Sequence, residues 1–100
     1  MTEFIEVICE EGVITFDGRV IELFGFGRQD FSVRVHVARL EHMQVSPGGR
    51  FSSPSVTFKA RGMKIEGMAV FTEDEAASPR VAALIAAVRA AAPSDPADAH

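Results

Sequence analysis

The sequence has no tryptophan and no tyrosine, and it has one cysteine and five prolines among 100 residues. Proteins that bind single-stranded nucleic acid stack bases on exposed aromatic side chains, so this composition and the net charge of −4 argue against that class. The single cysteine, Cys9, cannot form an internal disulfide or a cysteine metal cluster. Its apolar neighbours predict a buried core thiol.

Long apolar runs are also missing, because Arg80 and Arg89 interrupt the alanine-rich segment near the end of the chain. No stretch is therefore expected to span a membrane. The first six residues, MTEFIE, lack the basic start and apolar middle of a secretory signal, so we expect a cytoplasmic protein. An apolar fraction of 47% and a length of 100 residues predict one independently folding domain over residues 1–92. The polar, proline-bearing segment 93–100 is predicted to be a disordered tail.

Period-two alternation dominates the first 72 residues. Residues 31–37 read FSVRVHV, which is typical of a half-buried strand with Arg34 and His36 on its outward face. Asp17-Gly18 between two apolar runs predicts a hairpin with a type I′ turn. Longer loops rich in Gly, Pro and Ser are predicted over residues 25–30 and 47–53. We predict seven antiparallel strands, near residues 3–8, 12–16, 19–24, 31–37, 40–46, 54–60 and 63–72.

One helix is predicted after the strands. Ser78 is a favourable N-cap, Pro79 suits the first helical position, and Pro93 ends the helix. An apolar stripe at helical spacing is expected to pack on the sheet, formed by Val81, Leu84, Ile85 and Val88. The acidic residues 73–75 before the helix are predicted to form a solvated link.

Seven consecutive antiparallel strands followed by one amphipathic helix resemble the pleckstrin-homology-like superfold. The segment GVITFDGR at residues 12–19 looks like the second strand and turn of bacterial members, and residues 35–45 resemble their central hairpin. The resemblance covers residues 3–92. It implies a mainly β fold with one C-terminal α-helix, in which the helix caps a seven-stranded antiparallel bent sheet or partly open barrel.

This superfold hosts lipid, peptide and protein binding, so the resemblance does not by itself fix a function. Its phosphoinositide-binding members carry lysines and arginines in the first hairpin loop. Here that loop is residues 9–12, CEEG, and its acidic side chains would repel an inositol phosphate. No ligand residue of the family can be carried over to this chain.

Motifs for catalysis or cofactor binding are weak. Residues 25–30, GFGRQD, begin like a dinucleotide fingerprint but lack its final glycine and the helix that should follow. His36 and His42 have no nearby third ligand for a zinc ion and are expected to face solvent. The sequence therefore predicts a non-enzymatic protein without a metal or cofactor.

Charge is distributed unevenly along the chain. Residues 1–25 sum to −5, residues 26–64 to +5 and residues 65–100 to −4. This pattern is usual for solvated faces whose charges interleave after folding. A contiguous basic patch from the middle strands, including Arg34 and His36, would instead favour weak binding of an anionic lipid or phosphorylated ligand.

The loop SPGGRFSS at residues 46–53 joins an arginine to an aromatic side chain, a combination enriched at binding hot spots. Phe51 is nevertheless more commonly buried, as a core lid or an early strand residue, and Phe24 and Phe26 have the same ambiguity. The leading prediction is a module for protein or peptide recognition, through an open sheet edge or through Arg50 and Phe51. Pairing of two copies through an exposed edge is a further possibility.

Overall fold

The computed structural model of the protein describes residues 4–26, 32–62 and 67–92, which form two antiparallel sheets and a C-terminal helix. The first sheet contains, in spatial order, β1 (Ile5–Ile8), β2 (Val13–Phe16), β3 (Val20–Phe24) and β4 (Ser32–His36). The second contains β5 (Leu40–Ser46), β6 (Ser55–Ala60) and β7 (Gly67–Val70). A one-turn helix, α1 (Glu73–Ala76), precedes the main helix, α2 (Pro79–Ala91).

The predicted strand order and the mainly β class are confirmed, but the single bent sheet is wrong. Within the three described ranges, the strands form separate sheets of four and three, with no closed barrel. The predicted tail 93–100, and parts of the predicted elements at residues 1–3, 27–31 and 63–66, lie outside these ranges.

The division into two sheets occurs at a 3₁₀ turn, Val37–Arg39, between β4 and β5. His36 Nδ1 accepts a hydrogen bond from the Ala38 N–H at 3.1 Å, which caps the turn. The Val37 N–H donates to the Arg19 carbonyl at 2.7 Å, and the Arg61 N–H donates to the Arg39 carbonyl at 2.9 Å. Each end of the turn is thus held by a different sheet, which redirects the chain between them.

The core lies between the sheets and α2. Its fully buried side chains come from alternate positions of both sheets and from the helix, and they are Phe16, Phe58, Ile14, Ile21, Leu23, Leu84, Val35, Val56 and Val88. The sheets approach closely at Gly67, where an added Cβ would lie 3.2 Å from Val33 Cγ1. Cys9 belongs to this core, as predicted.

The β2–β3 turn differs by one residue from the predicted type I′ turn. Phe16 pairs with Ile21, so the central positions are Gly18 and Arg19, and only Gly18 has a positive φ, at 99°. Asp17 instead precedes the turn, and its carboxylate accepts the Val20 N–H at 2.7 Å and the Arg19 N–H at 2.8 Å. These two hydrogen bonds lower the pKa of Asp17.

Helix α2 begins and packs as predicted. Ser78 Oγ accepts the Arg80 N–H at 3.2 Å, and Pro79 occupies the first turn. Three residues of the predicted apolar stripe are buried, and the fourth, Ile85, is half-buried. The helix packs against β1, β2 and the 3₁₀ turn, and Arg80 Nε donates to the Glu6 carbonyl on the edge of β1 at 2.7 Å.

The predicted solvated acidic link is the helix α1, and its third acidic residue has a structural role. Thr72 Oγ1 accepts the Glu75 N–H at 3.1 Å, and Glu75 Oε1 accepts the Thr72 N–H at 2.8 Å, which makes a capping box. Glu75 Oε2 accepts the Glu10 N–H at 2.7 Å. Glu75 therefore joins the helical segment, which consists of α1 and α2, to the turn after β1. Glu73 and Asp74 are exposed, as predicted.

Gly12 is predicted to be intolerant of any side chain, because an added Cβ would lie only 2.2 Å from the Phe24 carbonyl oxygen. We expect Gly12→Ala to lower the free energy of unfolding by about 2 to 3 kcal/mol in urea denaturation. Gly49→Ala is the matched control, since its nearest neighbour would be Ser52 Oγ at 3.6 Å. A change of less than about 0.5 kcal/mol is expected there. Equal effects of the two substitutions would contradict this packing.

Removal of the Glu75 carboxylate is predicted to loosen the start of the helical segment. Glu75→Ala should lower the free energy of unfolding by about 1 to 2 kcal/mol, because the Thr72 and Glu10 N–H groups both lose their acceptor. The control is Glu73→Ala, which removes an exposed carboxylate from the same turn and should cost less than about 0.5 kcal/mol. If chemical denaturation gives the reverse order, the proposed role of Glu75 is wrong.

Candidate functional site

A groove of about 470 Å³ opens between one end of the second sheet and the helical segment. The strand side contributes Val45, Ser46, Pro47, Pro54, Ser55 and Val56, and the helical side contributes Phe71, Glu73, Ala76, Ala77, Val81 and Ile85. Most of these side chains are apolar. The groove can therefore accept apolar groups, with Glu73 as the charged residue among those that line it.

The groove exists because α2 packs towards the first sheet. Val45 and Val56 are register partners on β5 and β6, and Val56 is fully buried. Val45 is 40% exposed, although its register places it beside a core residue. Helix α2 packs on β1 and β2, so it leaves space between Val45 and Ile85.

The strand beside this groove has an edge without a strand partner. Among the residues that the structure describes, β5 pairs with β6 alone, and the edge strands β4 and β7 likewise have one strand partner each. The fourth edge strand, β1, is covered by the helical segment. Arg80 donates to the Glu6 carbonyl of β1, and Glu75 accepts the Glu10 N–H just beyond it. An edge strand with free backbone groups is a template for pairing with another chain.

Arg50 and Phe51 occupy the two central positions of a tight turn at the end of this groove. The Gly49 N–H donates to the Ser52 carbonyl at 3.0 Å, which closes the turn. Phe51 is 96% exposed, so the expectation that it folds back onto the core is wrong. Phe24 is also exposed, whereas Phe26 is buried.

A second cavity, of about 320 Å³, connects the Arg50–Phe51 turn to the main groove. It is lined by the turn and by Thr72, and it shares Pro54, Phe71 and Glu73 with the main groove. The turn and the groove therefore belong to one surface.

The other two predicted partner-binding residues, Arg34 and His36, lie elsewhere. Both are on the exposed face of β4 in the first sheet. Strand β5, which spans about 20 Å, separates them along the chain from the Arg50–Phe51 turn. Arg34 Nε is 3.6 Å from Glu22 Oε2, an exposed ion pair that contributes little to stability. The four residues do not form one site.

The basic middle segment is likewise divided. Arg39, Lys59 and Arg61 are exposed near the end of the second sheet that is opposite the groove, and the Arg61 N–H donates to the Arg39 carbonyl. His42 lies opposite Lys59 in the register. The remaining cations of this segment, Arg28 and Lys64, lie outside the described residues.

Across residues 4–26, 32–62 and 67–92, no three potential metal ligands cluster together. None of the helices in these ranges is long and apolar enough to cross a lipid bilayer. Cys9 is buried beside the Val7 carbonyl, and burial together with the charge of Glu75 raises its pKa to about 11. A thiol in this state is a poor nucleophile.

No known protein family, curated protein or solved structure matches this chain.

Sequence reasoning missed the residues that form the groove. Val45 and Ile85 carry the apolar periodicity of core positions, and the pattern cannot distinguish a filled position from an unfilled one. The exposure of these two residues depends on where α2 packs, and the spacing of apolar residues along the sequence does not predict that position. By contrast, the strand edge and the Arg50–Phe51 turn were both among the predicted surfaces.

Cys9 is predicted to react slowly in the folded protein. A rise in pKa from 9.0 to about 11 lowers the thiolate fraction at pH 8 roughly 100-fold, and burial slows the reaction further. Alkylation by iodoacetamide, followed by mass spectrometry, should therefore be at least about 100-fold slower in buffer than in denaturing urea. Similar rates in the two solvents would contradict the burial of this thiol.

Proposed function

We propose that the protein is a non-enzymatic binding module that holds an extended peptide segment of a protein partner along the edge of β5. The observation that supports this most directly is the adjacency of two features. Within the described residues, β5 has an edge without a strand partner, and an apolar groove of about 470 Å³ opens beside it.

Strand addition would use both features at once. Backbone groups of an extended peptide would hydrogen-bond to β5, which gives affinity with little dependence on sequence. Side chains of a strand alternate in direction, so every second side chain of the peptide would face the groove. The volume of the groove lies within the range of about 300 to 1,000 Å³ for ligand pockets and accommodates a large apolar side chain.

The Arg50–Phe51 turn would extend the contact at one end. Phe51 is 96% exposed on a turn closed by the Gly49–Ser52 hydrogen bond, so it can be buried by a partner without reorganisation of the core. Arg50 beside it can pair with an acidic group of the partner. We expect Phe51→Ala to weaken binding about five- to tenfold, since aromatic anchors commonly contribute 1 kcal/mol or more.

The proposal includes membership of the pleckstrin-homology-like superfold and a cytoplasmic location. Seven antiparallel strands in chain order and a C-terminal helix packed against β1 support the superfold. A single, buried thiol suits a reducing compartment.

Selection from a displayed library of random peptides, with the purified protein as bait, tests the proposed function. Selected peptides should share an apolar residue, and fluorescence anisotropy should show binding at least about tenfold weaker to Ile85→Glu, which places a charge in the groove wall. Met68→Glu is the control, because Met68 is also apolar, is 47% exposed and does not line the groove. It should retain affinity within about twofold. Circular dichroism of Ile85→Glu verifies that the fold is intact, since Ile85 is half-buried against the core.

Backbone methylation of a selected peptide separates strand addition from other binding modes. Methyl groups on alternate peptide nitrogens should abolish binding in one register and leave it nearly unchanged in the other, because a strand presents alternate N–H groups to its neighbour. The proposal fails if both registers bind equally, or if Ile85→Glu and Met68→Glu have the same effect.

A second candidate function is weak binding of anionic lipid or another phosphorylated ligand by the cluster Arg39, Lys59 and Arg61. These three exposed cations have no ion pair within the described residues, and the Arg39 and Arg61 backbones are hydrogen-bonded. Cationic side chains near an anionic bilayer contribute about 1 kcal/mol each, so three would give a weak, salt-sensitive attachment.

Flotation with phosphatidylserine vesicles tests this second candidate. The protein should float at low salt and be released at high salt, and Lys59→Glu combined with Arg61→Glu should abolish flotation. The control is Arg89→Glu, which reverses an exposed charge on α2 and should leave flotation unchanged. Absence of flotation at low salt rules this function out.

A further inference from the structure

The outer face of the first sheet carries a row of apolar side chains, of which Ile8 and Phe24 are exposed and Val13 is half-buried. Ile8, Val13 and Phe24 are consecutive cross-strand partners on β1, β2 and β3, and Ser32 continues the row on β4. Ile8 is 73% exposed and Phe24 is 42% exposed. Phe4, four residues before Ile8 and at the same parity, is also exposed. Half of the large exposed apolar side chains of the described residues therefore lie on one face.

The adjacent row on this face carries opposite charges at its two ends. Its members, from β1 to β4, are Glu6, Thr15, Glu22 and Arg34, and each pairs with the next in the register. Thr15, inside the row, is buried, so the charged side chains around it form the accessible part of the row. Arg34 contacts Glu22, but Glu6, at the far end, has no ion pair within the described residues. The row is therefore acidic at the β1 end and basic at the β4 end.

We propose that this face is the interface of a homodimer. A two-fold axis parallel to the strands and midway between β2 and β3 reverses the order of the strands in the facing sheet. Arg34 then lies opposite Glu6 of the partner subunit, and Glu6 lies opposite Arg34 of the partner subunit. In the apolar row, Phe24 lies opposite Val13 of the partner subunit. Such a face is self-complementary, as an isologous interface requires.

The order of the charges along the row from Glu6 to Arg34 favours a second copy of this chain over an unrelated partner. Aligned packing of two twisted sheets keeps their strands within about 30° of each other, so both rows can meet their counterparts along most of their length. The unpaired carboxylate of Glu6 gains the guanidinium of Arg34, which is 71% exposed in the single chain and already close to Glu22. A face with only one sign of charge would repel its own copy.

The size of the face predicts a weak dimer. Four strands spaced about 4.8 Å apart and about 15 Å long give a flat area well below the usual 800 Å² per partner. We therefore expect a dissociation constant in the micromolar range or above. The association should be visible as a concentration-dependent mass.

Sedimentation velocity of the full chain, from about 5 to about 500 µM, tests the proposal through a charge exchange. The wild-type protein should shift from monomer to dimer. Arg34→Glu and Glu6→Arg should each raise the dissociation constant at least about tenfold, and the double variant should return it to within about threefold of the wild type. Circular dichroism of each variant verifies that the fold is intact.

Two phenylalanine variants locate the interface independently. Phe24→Ser should weaken the dimer at least about tenfold, while Phe51→Ser, an equivalent change on the turn beside the groove, should leave it unchanged. A wild-type protein that stays monomeric up to about 500 µM overturns the proposal. So does a dimer that resists both charge reversals, or one that Phe51→Ser disrupts.

Discussion

The position of α2 is the constraint on which the rest of this structure depends. The helix is tied to the edge of β1 by the Arg80–Glu6 hydrogen bond, and the segment before it is tied to the following turn by Glu75. These contacts close the first sheet on the side where it would otherwise have an exposed edge. They also direct the helix away from β5, so the space between Val45 and Ile85 remains open.

The position of α2 therefore explains both the covered edge of β1 and the open groove beside β5. Here the buried part of the apolar stripe completes the core, while Ile85 contributes to a groove wall. The proposed binding site is a part of the core volume that α2 leaves unfilled, beside a strand whose edge remains available.

Local sequence signals predicted the elements well, because those elements follow from short-range chemistry. Strand β5 was predicted at its observed bounds, and Ser78 and Pro79 begin α2 as expected for an N-cap and a first-turn proline. The capping box of α1 was missed, although Thr72 and Glu75 have the required spacing. The turn is Gly18–Arg19 and not Asp17–Gly18, because Asp17 precedes the turn and its carboxylate accepts the Arg19 and Val20 N–H groups.

The division into two sheets and the candidate site could not be predicted in the same way. The corner at Val37–Arg39 has no distinctive residues, and its geometry depends on hydrogen bonds to the distant residues Arg19 and Arg61. The exposure of Phe51 depends on a turn closed between Gly49 and Ser52. Prediction of the groove requires knowledge of which strands α2 covers. Hydrophobic periodicity indicates only that the apolar stripe of α2 is buried, and it does not identify the strands that bury it.

Strand addition along β5 is tested most directly by hydrogen exchange, measured by NMR at each amide, in the free protein and with a saturating selected peptide. Alternate amides of β5 should exchange rapidly in the free protein and become protected when peptide is bound, because they acquire backbone partners. Amides of β1 should change little, since the helical segment already covers that edge. Protection on β4 or β7 without protection on β5 would contradict strand addition along β5.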